Sequence, residues 1–106
     1  MITFKNSYLV ILLLHLIKQD AEKRTTRSWD VSISNSAREI KRTNQRRKSG
    51  GYYASPEELM ETIEDAFQSA VERAALEAFE GMYREGELLE MIDPELVKAK
   101  ALNLIN

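Results

Sequence analysis

Ser28-Trp29-Asp30-Val31-Ser32-Ile33-Ser34 is the stretch on which the fold class turns. Trp29, Val31 and Ile33 alternate with small or polar residues, and a period of two is the pattern of a strand with one buried face. Asn35-Ser36 behind it serves equally well as a turn or a helix cap. A strand here, between flanks that read as helices, makes the chain an α+β domain that is mainly α-helical.

Upstream, Tyr8 to Ile17 reads YLVILLLHLI, interrupted by His15 alone. A bilayer core needs about 20 apolar residues in a helix, so this run is too short to span one. Lys5 before it resembles the start of a signal peptide, but Lys18-Gln19-Asp20-Ala21 stands where a small-residue cleavage site belongs. Leu outnumbers the β-branched residues, which predicts a helix from about Thr3 to Lys23. Such a helix is apolar on nearly every face and must be covered by the rest of the chain or by another copy. His15 has no partner at a fixed spacing, so it reads as a packed polar residue and not as a ligand or base.

Downstream the chain runs AREIKRTNQRRKSGG from Ala37. Arg38, Lys41, Arg42, Arg46, Arg47 and Lys48 are six basic residues among positions 38–48, while Ala37 and Ile40 are the segment's apolar content. As a helix capped by Asn35 or Ser36, the segment puts Arg38, Lys41, Arg42 and Gln45 on one face. As a second strand it forms a hairpin with residues 28–34. Either way, a cluster this dense repels itself, and an anionic partner relieves the repulsion. Phosphates of DNA or RNA do so through counterion release and bidentate Arg contacts. An acidic protein surface does so through ion pairs, and an idle solvated loop is the remaining reading. Tyr52 and Tyr53, after Gly50-Gly51, suit base stacking or a hinge that packs on the body.

DVSIS, a polar helix, and then SGGYYASPEEL opening a second helix resemble the ribbon-helix-helix DNA-binding proteins. That resemblance covers about fifty residues and implies strands of two chains pairing to enter the major groove. Ala37 to Ser49 departs from the family in lacking the apolar stripe its first helix needs, so no residue role is carried over.

Ser55-Pro56-Glu57-Glu58 is a helix start: an N-cap serine, proline at the first helical position, acids in the first turn and the S-x-x-E capping box. The helix is expected to run to Gly81 or Gly86. Leu59, Met60, Ile63, Ala66, Phe67, Ala70, Val71, Ala74, Ala78 and Met82 fall in one arc, with alanines every fourth residue that let another helix approach. Leu76, Phe79 and Tyr83 then fall on the side that was polar, which predicts a second contact. Asp93-Pro94-Glu95 repeats the start signal, and Leu96, Val97, Ala101, Leu104 and Ile105 share a face of the last helix. The expected organisation is one domain in three segments: 1–27, 28–54 and 55–106.

The 106 residues carry 15 basic and 17 acidic side chains, a net charge of −2. Residues 1–48 hold 11 basic against four acidic residues (+7), and residues 49–106 hold four against 13 (−9). Halves so opposed neutralise each other within the chain, join copies head to tail, or offer the basic half to a polyanion.

No Cys is present and His15 is the single histidine, which removes thiolate chemistry, zinc ribbons and two-His metal motifs. No Gly-rich phosphate loop or Asp-x-Asp occurs, and acid pairs such as Glu57 with Glu61 read as the wet face of a helix. The sequence predicts no enzyme, no cofactor and no metal. It predicts a homo-oligomeric accessory protein, in the cytoplasm or inside an assembly such as a virion. Arg38, Lys41, Arg42, Arg46, Arg47 and Lys48 would contact nucleic-acid phosphates or an acidic partner. Leu76, Phe79, Tyr83, Leu96 and Leu104 would form the oligomer interface. The alternatives are a structural subunit, such as a virion connector, whose basic arm docks on the acidic helix of its neighbour, and a small inhibitor of a larger protein.

Overall fold

The computed structural model describes residues 6–44 and 55–106. Five α-helices run in chain order: α1 (Asn6–Glu22), α2 (Arg27–Asn44), α3 (Pro56–Glu77), α4 (Glu85–Met91) and α5 (Pro94–Ile105). No strand occurs among the described residues, so the expected α+β class, with its strand or hairpin, is replaced by an all-α bundle.

α1 is the central helix. Leu9, Leu12, Leu13, Leu16 and Ile17 are buried on its several faces, and α2, α3, α4 and α5 all touch it. The chain itself therefore covers the apolar run. Lys23 closes α1 in the left-handed conformation at φ 56°, and residues 23–26 reverse the chain into α2. Lys18 pairs with Glu77, and the Glu22 carboxylate accepts from the Phe79 N–H, so the C-terminal ends of α1 and α3 lie side by side. Asp20 accepts from the Asp93 N–H at 2.8 Å, which starts α5 at that same end and sends it back along the bundle.

α2 overturns the strand reading of residues 28–34. Trp29 and Ile33 are four apart, a separation that satisfies both a period of two and one of 3.6. Val31 discriminates, and it is 60% exposed. The buried edge continues from Trp29 and Ile33 to Ser36, Ala37 and Ile40 at helical spacing. The two apolar residues of the basic segment thus complete a stripe begun before it. Thr26 starts the helix: its Oγ1 accepts from the Trp29 N–H at 3.1 Å and its carbonyl from the Asp30 N–H at 3.0 Å. With residues 27–44 helical, the hairpin alternative and the ribbon-helix-helix resemblance fall together.

α3 starts as its sequence requires. The Ser55 hydroxyl accepts from the Glu58 N–H at 3.2 Å, and the Glu58 carboxylate accepts from the Ser55 N–H at 3.0 Å. Donation to the carboxylate, from the Ser55 backbone N–H first and from its hydroxyl second, holds the Glu58 carboxyl below its usual range. Leu59, Ile63, Ala66, Phe67, Ala70, Val71 and Ala74 are buried on one face.

The expected continuation to Gly81 or Gly86 does not form. α3 ends at Glu77, and after Ala78 the residues Phe79, Glu80 and Gly81 adopt φ of 51°, 58° and 78° in a left-handed turn. A Cβ on Gly81 would stand 3.1 Å from the Leu76 carbonyl oxygen, so glycine is needed there for space as well as for φ. Met82 consequently leaves the buried arc and is 74% exposed.

α5 is capped by Asp93, whose carboxylate accepts from the Leu96 N–H at 3.2 Å. It buries Val97, Ala101 and Ile105, and leaves Leu96 and Leu104 at the exposed margins of that face.

Candidate nucleic-acid interface

The C-terminal half of α2 carries Arg38, Lys41 and Arg42, at i, i+3 and i+4, all exposed. Ile33, Ala37 and Ile40 anchor the other edge of the helix in the core, which fixes the azimuth at which the three basic side chains leave it. With Ser34 and Ala37 they line an open groove of about 650 Å³. Lys41 and Arg42 lie in the last turn, where the helix dipole favours cations. One Nη of Arg42 donates to both carboxylate oxygens of Glu39, at 2.6 and 2.7 Å. An exposed pair of this kind contributes about 0–1 kcal/mol, so a phosphate competes with it readily. Arg46, Arg47 and Lys48 lie outside the described residues, as do Tyr52 and Tyr53.

Among the described residues, the opposed halves hardly neutralise each other. Among the described residues, the ion pair joining the basic half to the acidic half is Lys18 with Glu77, at 3.1 Å. Lys98 pairs with Glu64 and Glu95 within the acidic half, and none of the described pairs links Arg38, Lys41 or Arg42 to an acid of α3, α4 or α5.

The expected interface residues do not form one stripe. Leu76 is 77% exposed at the end of α3. Phe79 sits beyond the helix, folds partly onto the core and meets Tyr83 edge to face, with ring centroids 5.2 Å apart. Because α3 stops at Glu77, the helical arithmetic that grouped these three ends there too. Met82 and Val31 are exposed apolar residues that the sequence reading did not place at the surface.

A second cluster was not foreseen. Lys18, Glu22, Arg24, Trp29, Glu77 and Phe79 meet around a cleft of about 390 Å³ where α1, α2 and α3 come together. The Lys18 ammonium and the Arg24 guanidinium each lie 4.7 Å from the Trp29 ring centroid. Arg24 pairs with Glu22 at 2.9 Å, and the other Glu22 oxygen takes the Phe79 N–H at 3.2 Å. These groups satisfy one another and lock three helix ends together. The sequence signals were weak: a lone Trp and charges scattered over sixty residues.

His15 hydrogen-bonds through Nδ1 to the Ile11 carbonyl at 2.9 Å, one turn back on its own helix. Among the described residues no three His, Asp or Glu side chains converge as a metal site. No described helix is long and apolar enough to cross a membrane.

No curated protein and no solved structure matches this chain. One family model does match, over residues 4–87, a span that takes in α1, α2, α3, the left-handed turn and the start of α4. The chain belongs to that family, described as Domain of unknown function DUF29.

Proposed function

We propose that the chain is a small, non-enzymatic, oligomeric accessory protein whose basic segment 38–48 contacts nucleic-acid phosphates, in the cytoplasm or within a macromolecular assembly such as a virion. One observation carries the reading: α2, anchored by Ile33, Ala37 and Ile40, presents Arg38, Lys41 and Arg42 along one exposed edge that no described acid of α3, α4 or α5 pairs with. Arg46, Arg47 and Lys48 follow after Thr43-Asn44-Gln45 in sequence. If all six engage a duplex, the log–log salt slope approaches about −5, and affinity falls about a thousandfold between 50 and 200 mM salt.

Anisotropy titrations with labelled duplex DNA, single-stranded DNA and RNA test this. Steep salt-dependent binding is expected, and combined Arg42→Glu, Arg46→Glu and Arg47→Glu should abolish it without changing the helical circular dichroism. Absence of binding to all three at 50 mM salt overturns the reading. That one ion pair joins the halves among the described residues also favours a rival, a structural subunit whose basic arm docks on the acidic helix of the next copy. That rival wins if the chain ignores nucleic acid and the same reversals dissolve its oligomer.

A further inference from the structure

The oligomeric part of that reading can be given a surface. We infer that the hollow between the end of α3 and the start of α4 is a two-fold dimer interface, occupied by Leu76 of a second copy. The hollow measures about 720 Å³, and Ala75, Leu76 and Tyr83 supply its apolar wall. Leu76 is both part of that wall and among the most exposed large apolar side chains described. A residue that is at once knob and wall suits an isologous contact, in which the same surface meets itself across a two-fold axis.

The rim points to a second copy over an unrelated partner. Glu72 and Glu85 stand on it together with Arg84, so the hollow carries both signs of charge. Across a two-fold axis, Arg84 of one copy meets Glu72 or Glu85 of the other, and the pairing occurs twice. A partner of one charge sign would leave either Arg84 or the two glutamates opposed by like charge.

The surface is also held rigid. Phe79 and Glu80 are non-glycine residues in the left-handed region, a strained conformation that persists only where surroundings enforce it. The Glu22 carboxylate on the Phe79 N–H and the Phe79–Tyr83 ring contact supply that enforcement. The strained turn fixes where α3 stops and where Tyr83, Arg84 and α4 begin, and so shapes the hollow. A pre-shaped surface loses little freedom on association. By contrast, Leu96 and Leu104 flank the buried face of α5 and are less exposed than Leu76.

Sedimentation velocity over a dilution series, on the full chain, tests the inference with two variants that act differently. Leu76→Glu places a carboxylate at the axis and should weaken the dimer about a hundredfold or more. Gly86→Trp fills the hollow instead. A Cβ at Gly86 meets nothing within 4 Å, so the monomer has room for the larger residue, and replacing glycine in the first turn of α4 favours the helix. Its expected signature is lost dimerisation with thermal stability equal to or above that of the parent when both are diluted to monomer, and Gly86→Trp decides the matter if Leu76→Glu fails to fold. Arg84→Glu should also dissociate the dimer, and Arg84→Glu combined with Glu72→Arg and Glu85→Arg should restore it, while Leu96→Glu leaves it intact. A parent chain that is monomeric throughout overturns both this inference and the oligomeric part of the proposed function. A dimer that survives Leu76→Glu and Gly86→Trp rejects this surface alone.

Discussion

Replacing Ile33 and Val31 separately by alanine distinguishes a helix from a strand at residues 28–34, and the two readings demand opposite outcomes. In the helix, Ile33 is buried against α1 and the core, while Val31, two residues earlier, is 60% exposed. Ile33→Ala removes three carbons at about 0.8 kcal/mol each, which gives about 2.4 kcal/mol before any cavity term. Incomplete collapse of the site raises the cost, and the better helix propensity of alanine lowers it by a few tenths, so a net loss of about 2–3 kcal/mol is expected. Val31→Ala removes little buried surface and replaces a β-branched residue by the best helix former, so its effect should lie within about 0.5 kcal/mol of zero and tend toward stabilisation. In a strand with Trp29, Val31 and Ile33 on one buried face, Val31→Ala would instead cost about 1.6 kcal/mol for its two carbons. Urea unfolding followed by circular dichroism reads the difference directly. With a slope of about 1.5 kcal/mol per molar, the midpoint of Ile33→Ala should fall by about 1.3–2 M and that of Val31→Ala should hardly move. Comparable losses for the two variants, or a larger loss for Val31→Ala, would refute the helical account of this segment.

Two further outcomes follow from side-chain geometry. Glu39→Gln releases Arg42 from its carboxylate clamp, so nucleic-acid affinity should rise and the salt slope steepen by about one; a gain that persists unchanged in an Arg42→Ala background would show that Glu39 acts through the general field and not through Arg42. At α3, the Glu58 carboxyl titrates below its ordinary value of 4.5 because the Ser55 N–H and hydroxyl favour the ionised form. A depressed folded value means a contribution that is present above the unfolded value and lost as pH falls through the folded one. The thermal-stability gap between the parent and Glu58→Gln, measurable at pH 7, should therefore narrow toward pH 3, and a gap constant with pH would contradict the capping-box origin of the shift.

Legibility tracked how local each determinant was. The start of α3 was readable because Ser55, Pro56 and Glu58 act within one turn, and the start of α5 because Asp93 and Pro94 do likewise. Burial of α1 was readable because a run apolar on every face has no other stable fate, and the chain met that need itself with α2, α3, α4 and α5. The class was misread at Trp29 and Ile33, whose spacing fits two periods, and the deciding residues lay outside the window: Thr26 before it, Ala37 and Ile40 after it. The end of α3 was unreadable for a different reason. Nothing in Phe79 or Glu80 favours a positive φ; the turn is enforced from Glu22, 57 residues earlier in the chain.

The same distinction bears on function. A charge that the fold needs is recognisable because it is buried or paired across the structure, as Lys18 is between Glu77 and the Trp29 ring. Arg38, Lys41 and Arg42 are neither: they are exposed, and Arg42 is held by a neighbour on its own helix. Stability accounts for little of this charge: the last-turn position and the exposed Glu39 pair favour Lys41 and Arg42 only weakly, and Gln would serve the edge at Arg38 as well. Ile40 makes the argument sharper. It sits within the basic segment and is buried, so the chain retains an anchor there while leaving the residues around it charged. An anchored helix edge with several outward cations holds its charges at fixed spacing, which a loop of the same composition would not, and fixed spacing is what converts a diffuse positive potential into simultaneous contacts along a phosphate backbone.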